Sequence, residues 1–409
     1  MPDGAQPVPD PDLAAVDVSF VLPCLNEARS LAPCVEAIRE AELGIRAAYG
    51  LACEIIVADN GSTDGSQALA EGLGARVIAV AQKGYGAALS GGFRAARGRY
   101  LVMGDADGSY DFREAVAMVG ALTEGADLCM GSRFAGGIKP GAMPWKNRYI
   151  GNPLLTGILN LLFRAGVSDA HCGLRALTRA SFDRLQLTGA GMEFASEMVI
   201  KAALRGERIV ERPATLSPDL RDRAPHLRPW RDGWRHLRYL FMLSPAWLFA
   251  LPGVAFVATG AFILAVAGAH FLVARRVVFF FGNYWDVLAG ALVGLGHIAI
   301  ILALASHVHG VRSGYRRPNS WLVGVSRWIT LETMILTGLV LAVAGFGDLA
   351  WVLAEWSAGL LTRVDSVLPV VIGTLLMTLG GQTILGGFLL AIIGGNEAKF
   401  MGAPTDQRA

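Results

Sequence analysis

The stretch YLVMGDADGSYDF, residues 100–112, decides the fold of the first half of this 409-residue chain. Its short apolar run, Tyr100 to Gly104, predicts a buried strand that ends in an acidic turn. Similar runs occur at Val18 to Pro23, Glu54 to Asp59, Ala75 to Val80 and Ala126 to Met130. Helical patterns separate these runs, and one of them extends from Ala28 to Tyr49. The alternation predicts an open, Rossmann-like, mainly parallel α/β sheet.

Polar side chains follow the predicted strands, at Glu27, Asp59, Lys83 and the turn Asp105-Ala106-Asp107. Ligands of open α/β sheets bind beyond the carboxyl ends of the strands. Two carboxylates in an Asp-x-Asp turn point one way and suit Mg²⁺ or Mn²⁺ bridging a diphosphate. An isolated turn of this kind is more often merely solvated. The apolar strand before it and the glycine-rich segment GYGAA (residues 84–88) favour the metal site.

Other nucleotide-binding classes are disfavoured. The segment GYGAA is not a GxGxxG fingerprint and does not follow the first strand, and the chain contains no Walker A sequence. Only 17% of the residues are charged, against about 25% in average proteins, so we expect no nucleic-acid partner.

The composition of the second half of the chain predicts membrane-spanning helices. The last 165 residues hold only 9 of the 36 Lys and Arg and 7 of the 34 Asp and Glu. Each apolar run there exceeds the ~20 residues that a spanning helix needs. The predicted spans are Trp247 to Ala274, Val287 to Gly310, Ile329 to Ala354 and Val367 to Gly395.

Charge asymmetry predicts the topology. Four arginines lie between the second and third spans, against two in the first loop (Arg275 and Arg276) and one in the third. The positive-inside rule therefore places that second loop, the N-terminal domain and the C-terminus in the cytoplasm. No signal peptide opens the chain, and five cysteines without CxxC spacing fit a reducing compartment. We expect an integral inner-membrane protein with a cytosolic catalytic domain and cytoplasmic termini.

An ordered set of motifs resembles the family 2 glycosyltransferases with a GT-A fold, specifically the polyprenyl-phosphate (dolichol-phosphate-type) glycosyl synthases. The resemblance covers nearly all of residues 17–243. Its motifs are VLPCLNE (21–27), ADNGSTDGS (58–66), KGYGAAL (83–89), GDADGSYDF (104–112), GSRF (131–134) and DAHCGLRAL (169–177).

The resemblance implies a set of site residues. Pro23, Leu25, Glu27 and Asp59 would hold the nucleoside, with Lys83 near the nucleotide. The turn Asp105-Ala106-Asp107 would bind the donor, and its two carboxylates would bind Mg²⁺ or Mn²⁺ and the diphosphate. Arg133 and Arg148 match basic residues that clamp the diphosphate and the acceptor phosphate. Leu25 replaces a frequent aromatic residue, and Ser109 stands where some members have a metal-binding Gln.

The implied chemistry is sugar transfer from a UDP- or GDP-sugar to a polyprenyl phosphate. A phosphate monoester is largely ionised near neutral pH, since its second pKa is ~6, and it attacks without a strong base. A single displacement would invert the anomeric carbon. Glu193 and Glu197 are candidate bases, although helix-surface or supporting roles are equally compatible with their positions.

Segment 221–244 predicts an amphipathic juxtamembrane helix. Arg228, Arg231, Arg235 and Arg238 recur at helical spacing beside Trp230 and Trp234. Arginines facing phosphates and tryptophans facing acyl chains are typical of a helix lying in the headgroup region. The run Leu154 to Phe163 is too short to span a bilayer; it is either an interfacial helix near the acceptor entrance or a core helix.

The predicted organisation has five parts: a disordered tail (1–16), a GT-A domain (17–220), the juxtamembrane segment (221–244), four transmembrane helices (245–396) and a cytoplasmic tail (397–409).

Two other functions are alternatives to sugar transfer onto a polyprenyl phosphate. A processive polysaccharide or glycolipid synthase would carry QxxRW, but Gly324 precedes Arg327-Trp328. A non-catalytic lipid-handling scaffold would not retain Asp105 and Asp107. Four transmembrane helices are more than an anchor needs. Formation of a homo-oligomer and handling of the lipid product are two roles compatible with the additional helices.

Overall fold

The computed structural model describes residues 16–221, 229–274, 282–318, 320–325, 328–359, 366–396 and Phe400. The chain forms two compact units that divide between Leu240 and Phe241. Of the predicted tails, residues 1–15 and 401–409 lie outside the described residues, as do residues 397–399.

A mixed sheet forms the centre of the first unit. Its strands are β1 (Val18–Cys24), β2 (Cys53–Asp59), β3 (Arg76–Ala79), β4 (Tyr100–Met103), β5 (Leu128–Ser132), β6 (Arg175–Thr178) and β7 (Ile209–Pro213). Their order in space is β3-β2-β1-β4-β6-β5-β7. Strand β6 is antiparallel to β4 and β5, and the other pairs are parallel. The predicted mainly parallel sheet is confirmed, and β6 and β7 add to the five predicted strands.

Helices cover both faces of this sheet. They are α1 (Ala28–Tyr49), α2 (Ser66–Gly72), α3 (Tyr85–Ala95), α4 (Ala115–Thr123), α5 (Arg133–Gly136), α6 (Asn152–Phe163), α7 (Arg179–Leu185) and α8 (Glu193–Arg205). A further helix, α9 (Pro229–Met242), contacts α8 through His236 and Ser196. Alternate side chains of β1 face opposite layers. Phe20 and Leu22 join the core cluster under α1 and α4. Val21 faces α3, where a Cβ on Gly92 would come within 2.4 Å of its Cγ1.

The second unit is helical: α10 (Leu251–Ala274), α11 (Asn283–Arg312), α12 (Ser320–Val325), α13 (Leu331–Ala358) and α14 (Leu368–Ile393). Four helices of the described residues are long and apolar enough to cross a membrane: Ala246–Leu272, Asn283–Arg312, Leu331–Ala358 and Leu368–Ile393. The four predicted transmembrane helices are therefore confirmed.

Glycines set the close packing of α13 on α14. A Cβ on Gly338 would lie 2.6 Å from the carbonyl oxygen of Gly380, and one on Gly380 would lie 2.5 Å from that of Gly338. A Cβ on Gly345 would likewise lie 2.5 Å from the carbonyl oxygen of Gly373. Small residues that allow two backbones to approach are the usual basis of helix association in lipid.

Candidate active site

Four neighbouring strands bring the predicted donor-binding residues to one edge of the sheet. Strands β3, β2, β1 and β4 are adjacent and parallel, so their carboxyl ends share that edge. The residues there are Pro23 within β1, Leu25 and Glu27 after it, Asp59 at the end of β2, Lys83 after β3, and Asp105, Ala106 and Asp107 after β4.

Asp59 organises the loop that follows β2. Its carboxylate is 1% exposed and accepts hydrogen bonds from Gly61 N (2.9 Å), Ser62 N (3.1 Å) and Gln67 Nε2 (2.6 Å). Burial raises the pKa of Asp59, but these hydrogen bonds outweigh it and hold the pKa below its ordinary value. Lys83 reaches the same loop, since its Nζ donates to the carbonyl oxygen of Asn60 at 2.5 Å.

Asp105 is half-buried and lies in tight contact with its neighbours. A Cβ on Gly173 would come within 2.6 Å of Asp105 Oδ2, so only glycine fits there. Gly173 N donates to the Tyr110 hydroxyl at 2.8 Å, and the Tyr85 hydroxyl is hydrogen bonded to Asp105. Burial, followed by the charge of Asp107, raises the pKa of Asp105 to about 6. A nearby cation would stabilise the carboxylate form.

The pair Asp105 and Asp107 fits a divalent cation that also binds substrate. Within the described ranges, no group of three or more His, Cys, Asp and Glu side chains is arranged to hold a metal. A cation at these two carboxylates would take its other ligands from phosphate and water, as Mg²⁺ commonly does.

Arg221 joins this site, although the sequence assigned it no role: it begins the segment 221–244 and is not among the four arginines predicted to face lipid phosphates. Its Nε donates to Glu27 Oε1 (3.0 Å) and Oε2 (3.2 Å), and its NH2 lies 3.1 Å from Asp107 Oδ2. The Arg221 side chain is 16% exposed. Charge spacing in the sequence gave no signal for this contact, because Glu27 lies 194 residues earlier.

Arg133, at the end of β5, forms a buried ion pair with Asp169. The guanidinium donates from Nε to Oδ2 and from NH2 to Oδ1, both at 2.7 Å. The backbone N–H of Arg133 also donates to Asp169 Oδ2, at 3.0 Å. The motif DAHCGLRAL contains Asp169, but sequence reasoning assigned that residue no role.

Arg148 is not joined to this cluster by its described contacts. It lies in the π-helical turn Asn147–Gly151, and its guanidinium stacks over the ring of Tyr149 at 5.4 Å. Tyr149, Ile150, Leu154 and Leu161 are more than half exposed, whereas Thr156, Leu159 and Phe163 are buried. Helix α6 therefore has one face in the core, as the core-helix alternative predicts, and a second face that is apolar and exposed. The interfacial alternative stays a prediction.

The two candidate bases are engaged in structural contacts. Glu197 is buried, and its carboxylate accepts from Thr188 N (3.1 Å) and Gly189 N (2.7 Å) and pairs with Lys201 (2.7 Å). Glu193 accepts from Gly191 N at 2.9 Å. Both carboxylates hold the loop that packs against the start of α3.

Helix α9 presents two kinds of face. His236 is buried and its Nδ1 is hydrogen bonded to Ser196 Oγ at 2.8 Å, whereas Trp234 (64%) and Arg238 are exposed. Of the other predicted membrane-facing residues, Arg228 lies outside the described residues, as do the side chains of Trp230, Arg231 and Arg235.

Comparisons with known proteins identify the family to which this chain belongs. Residues 19–186 match the family described as "Glycosyl transferase family 2", and residues 304–394 match the "Glycosyltransferase family 2 C-terminal transmembrane region". The chain is 36% identical over 391 residues to the low-salt glycan biosynthesis hexosyltransferase Agl6 of Haloferax volcanii, covering 94% of this chain and 91% of that protein. The chain belongs to glycosyltransferase family 2.

Two further members of glycosyltransferase family 2 are similar to this chain over shorter stretches. Glycosyltransferase AglJ of Haloferax volcanii is 33% identical over 258 residues, covering 62% of this chain and 80% of AglJ. The polyprenol monophosphomannose synthase of Mycolicibacterium smegmatis is 32% identical over 176 residues, covering 40% of this chain and 66% of that enzyme. This chain is thus a membrane glycosyltransferase of family 2, related to a polyprenol-phosphate sugar synthase.

Proposed function

We propose that the enzyme transfers a sugar, with inversion, from a UDP- or GDP-sugar to a polyprenyl phosphate on the cytoplasmic leaflet of the inner membrane. The product, a polyprenyl-phosphate sugar, would supply cell-envelope glycans or modified glycoconjugates. One observation carries the proposal: Glu27, Asp59, Lys83 and the pair Asp105 and Asp107 line one edge of a parallel sheet.

Donor binding has a clear division of labour in this proposal. Pro23, Leu25, Glu27 and Asp59 hold the nucleoside, and Lys83 lies near the nucleotide. Asp105 and Asp107 hold Mg²⁺ or Mn²⁺, which when bound neutralises charge on the leaving diphosphate. Because the acceptor phosphate is already anionic, the protein has to hold two negatively charged reactants together, and positive charge in the site serves that need.

The acceptor side is formed by basic and apolar groups. Arg148 would bind the acceptor phosphate, because a guanidinium group forms paired hydrogen bonds with phosphate oxygens. Arg133, whose paired hydrogen bonds go to Asp169, would contribute its positive charge. The apolar outer face of α6 and the exposed Trp234 of α9 suit contact with lipid chains. The relative named as a polyprenol monophosphomannose synthase also favours a polyprenyl phosphate.

A reconstituted assay tests this proposal. Purified full-length enzyme is incubated with UDP- and GDP-sugars, Mg²⁺ or Mn²⁺ and polyprenyl phosphate, and the lipids are identified by mass spectrometry. We expect one donor to yield a polyprenyl-phosphate sugar and Asp107→Asn to abolish it. The matched control is Asp183→Asn, which makes the same change of side chain in α7. Absence of any glycolipid, or full activity of Asp107→Asn, contradicts the proposal.

The proposed orientation has its own test. Ser313 follows α11 and Ser357 lies near the end of α13, and both are exposed. In intact cells, an impermeant thiol reagent should label Ser357→Cys and leave Ser313→Cys unlabelled. The native cysteines do not interfere, because four are buried and Cys53 is half-buried. The reverse labelling pattern would place the catalytic domain outside.

A further inference from the structure

A short segment joins the acidic turn to the chain that leads into α9. This segment, Leu216–Arg221, is called the strap here. Its backbone N–H groups donate to the turn, from Ser217 to Ser109 O (2.8 Å) and from Leu220 to Asp107 O (2.9 Å). Gly108, at φ +77°, passes so close that a Cβ would lie 2.8 Å from Leu220 Cδ1. The strap and the acidic turn therefore hold each other in place.

The strap ends by placing the guanidinium of Arg221 between two carboxylates. Glu27 and Asp107 are 5% and 7% exposed, so this contact is screened from bulk water. Both oxygens of Asp107 are engaged, Oδ1 by Ser109 N at 2.9 Å and Oδ2 by Arg221 at 3.1 Å. The remaining acidic group of the turn, Asp105, also interacts electrostatically with Arg221.

A divalent cation on Asp107 would have to share that carboxylate with Arg221. Oxygen ligands approach Mg²⁺ to about 2.0–2.1 Å, which brings the metal close to the guanidinium. Two cations at that separation repel each other strongly in a partly buried site. A diphosphate changes the balance, because its oxygens accept paired hydrogen bonds from a guanidinium.

We propose that Arg221 couples the binding of metal and nucleotide: it competes with the metal for Asp107, and it transfers its hydrogen bonds to the donor diphosphate when the nucleotide binds. The inference rests on the proposed function, because it takes Asp105 and Asp107 as the metal-binding pair. It assigns to Arg221 a weakening of metal binding without nucleotide and a strengthening with it. A purely structural arginine would do neither.

Calorimetric titration of full-length enzyme in detergent tests this role. Mn²⁺ is titrated alone, then with saturating UDP, then with saturating GDP. Coupling between two ligands commonly amounts to 5–150-fold, and we expect Arg221→Met to bind Mn²⁺ alone about tenfold more tightly than wild type. We also expect the gain in Mn²⁺ affinity produced by the nucleotide to shrink by about the same factor.

Two further variants keep the test decisive. Arg221→Lys retains the charge but loses the planar fork, so Mn²⁺ alone should bind as in wild type while the nucleotide-dependent gain falls. Arg212→Met removes one arginine of β7, whose side chain is 36% exposed, and should change neither affinity. Should Arg221→Met fail to give a native circular dichroism spectrum, Arg221→Lys carries the test.

The outcomes separate the two hypotheses. Wild type that binds Mn²⁺ neither alone nor with UDP or GDP overturns the proposed metal site and the inference together. Wild type that binds Mn²⁺ in a nucleotide-dependent way, with the same values for folded Arg221→Met, overturns the inference alone.

Discussion

Arg133 and Asp169 form a buried ion pair in which two 2.7 Å hydrogen bonds join the guanidinium to the carboxylate. Their side chains are 9% and 0% exposed. Partners this deeply buried depend on one another, because removing one leaves an uncompensated charge in a poorly solvated place. The pair fixes the connection after β5 to the loop before β6, and this places Gly173 against Asp105.

We predict that Asp169→Asn lowers the free energy of unfolding by about 3 kcal/mol, which is at the lower end of the range for breaking a buried ion pair. Thermal unfolding followed by circular dichroism measures it. The control is Glu40→Gln, which breaks the exposed 3.3 Å contact with Arg113 and should leave the unfolding midpoint unchanged. Equal effects of the two substitutions would contradict the importance of burial.

Asp59→Asn should show a pH-dependent loss of stability. The hydrogen bonds in the folded state hold the pKa of Asp59 below its ordinary value, so the charged carboxylate stabilises the fold. That contribution is complete above the ordinary pKa of 3.8 and is lost as the pH falls through the lower, folded value.

At pH 7, Asp59→Asn should therefore unfold about 1–3 kcal/mol more easily than wild type, the range for charged hydrogen bonds. The difference should narrow below pH 3.8. Denaturant unfolding across this pH range measures it. A difference that stays constant with pH would show that the charge of Asp59 contributes nothing.

The outer face of α6 should contribute to use of the lipid acceptor. Ile150, in the turn that leads into α6, and Leu154, in α6 itself, are 52% and 59% exposed, and replacing both by Ser removes that apolar area. If that area contacts lipid, the KM for polyprenyl phosphate in vesicles should rise at least tenfold, because burying even one large apolar side chain contributes about 1.5–3 kcal/mol and about 1.4 kcal/mol is a factor of ten. The KM for the nucleotide sugar should stay the same.

Leu43→Ser provides the matched control for α6, since Leu43 is 69% exposed on α1, away from the acidic edge of the sheet. It should leave both KM values unchanged. Equal acceptor KM values for wild type and the α6 double variant would remove α6 from the acceptor route.

Adjacent glycines in α14 should respond differently to a methyl group. A Cβ on Gly380 meets the carbonyl oxygen of Gly338 at 2.5 Å, whereas nothing lies within 4 Å of a Cβ on Gly381. Gly380→Ala should destabilise the second unit by about 1–3 kcal/mol, the cost of overpacking, and Gly381→Ala should not. Unfolding in detergent measures both, and a tolerated Gly380→Ala would show that α13 and α14 separate easily.

Local patterns were sufficient to predict β1 to β5, α1 and the four membrane helices. Each depends on short-range periodicity, and apolar runs that long or that regular have few other structures available. Strand β6 was missed because only Ala176 and Leu177 of its four residues are apolar, and because it includes Arg175, a charged residue that the fold buries completely. Its place between β4 and β5 depends on pairing far along the sequence.

In the site, too, local patterns predicted some residues, whereas residues that depend on tertiary contacts were missed. Glu27, Asp59, Lys83, Asp105 and Asp107 were predicted because each directly follows a strand, and the strand order then brought them together. Arg221 was given no role, because it only begins the arginine-rich segment 221–244 and lies in none of the family motifs. Its contact with Glu27 is a tertiary one, which no local charge pattern encodes. Asp169 was likewise recognisable only once β5 and β6 were placed side by side.

The antiparallel insertion of β6 affects how the enzyme is made. The sheet cannot be completed when β5 leaves the ribosome, because β6, the strand between β4 and β5, has not yet been synthesised. The sheet is complete only after Pro213, the last residue of β7. About 30 residues then separate Pro213 from Ala246, where the first membrane helix begins. At synthesis rates of about 5–20 residues per second, this leaves about 2–6 seconds for the sheet to close, within the range of α/β folding times. The order of the chain thus lets the catalytic half fold before the translocon receives the first membrane helix.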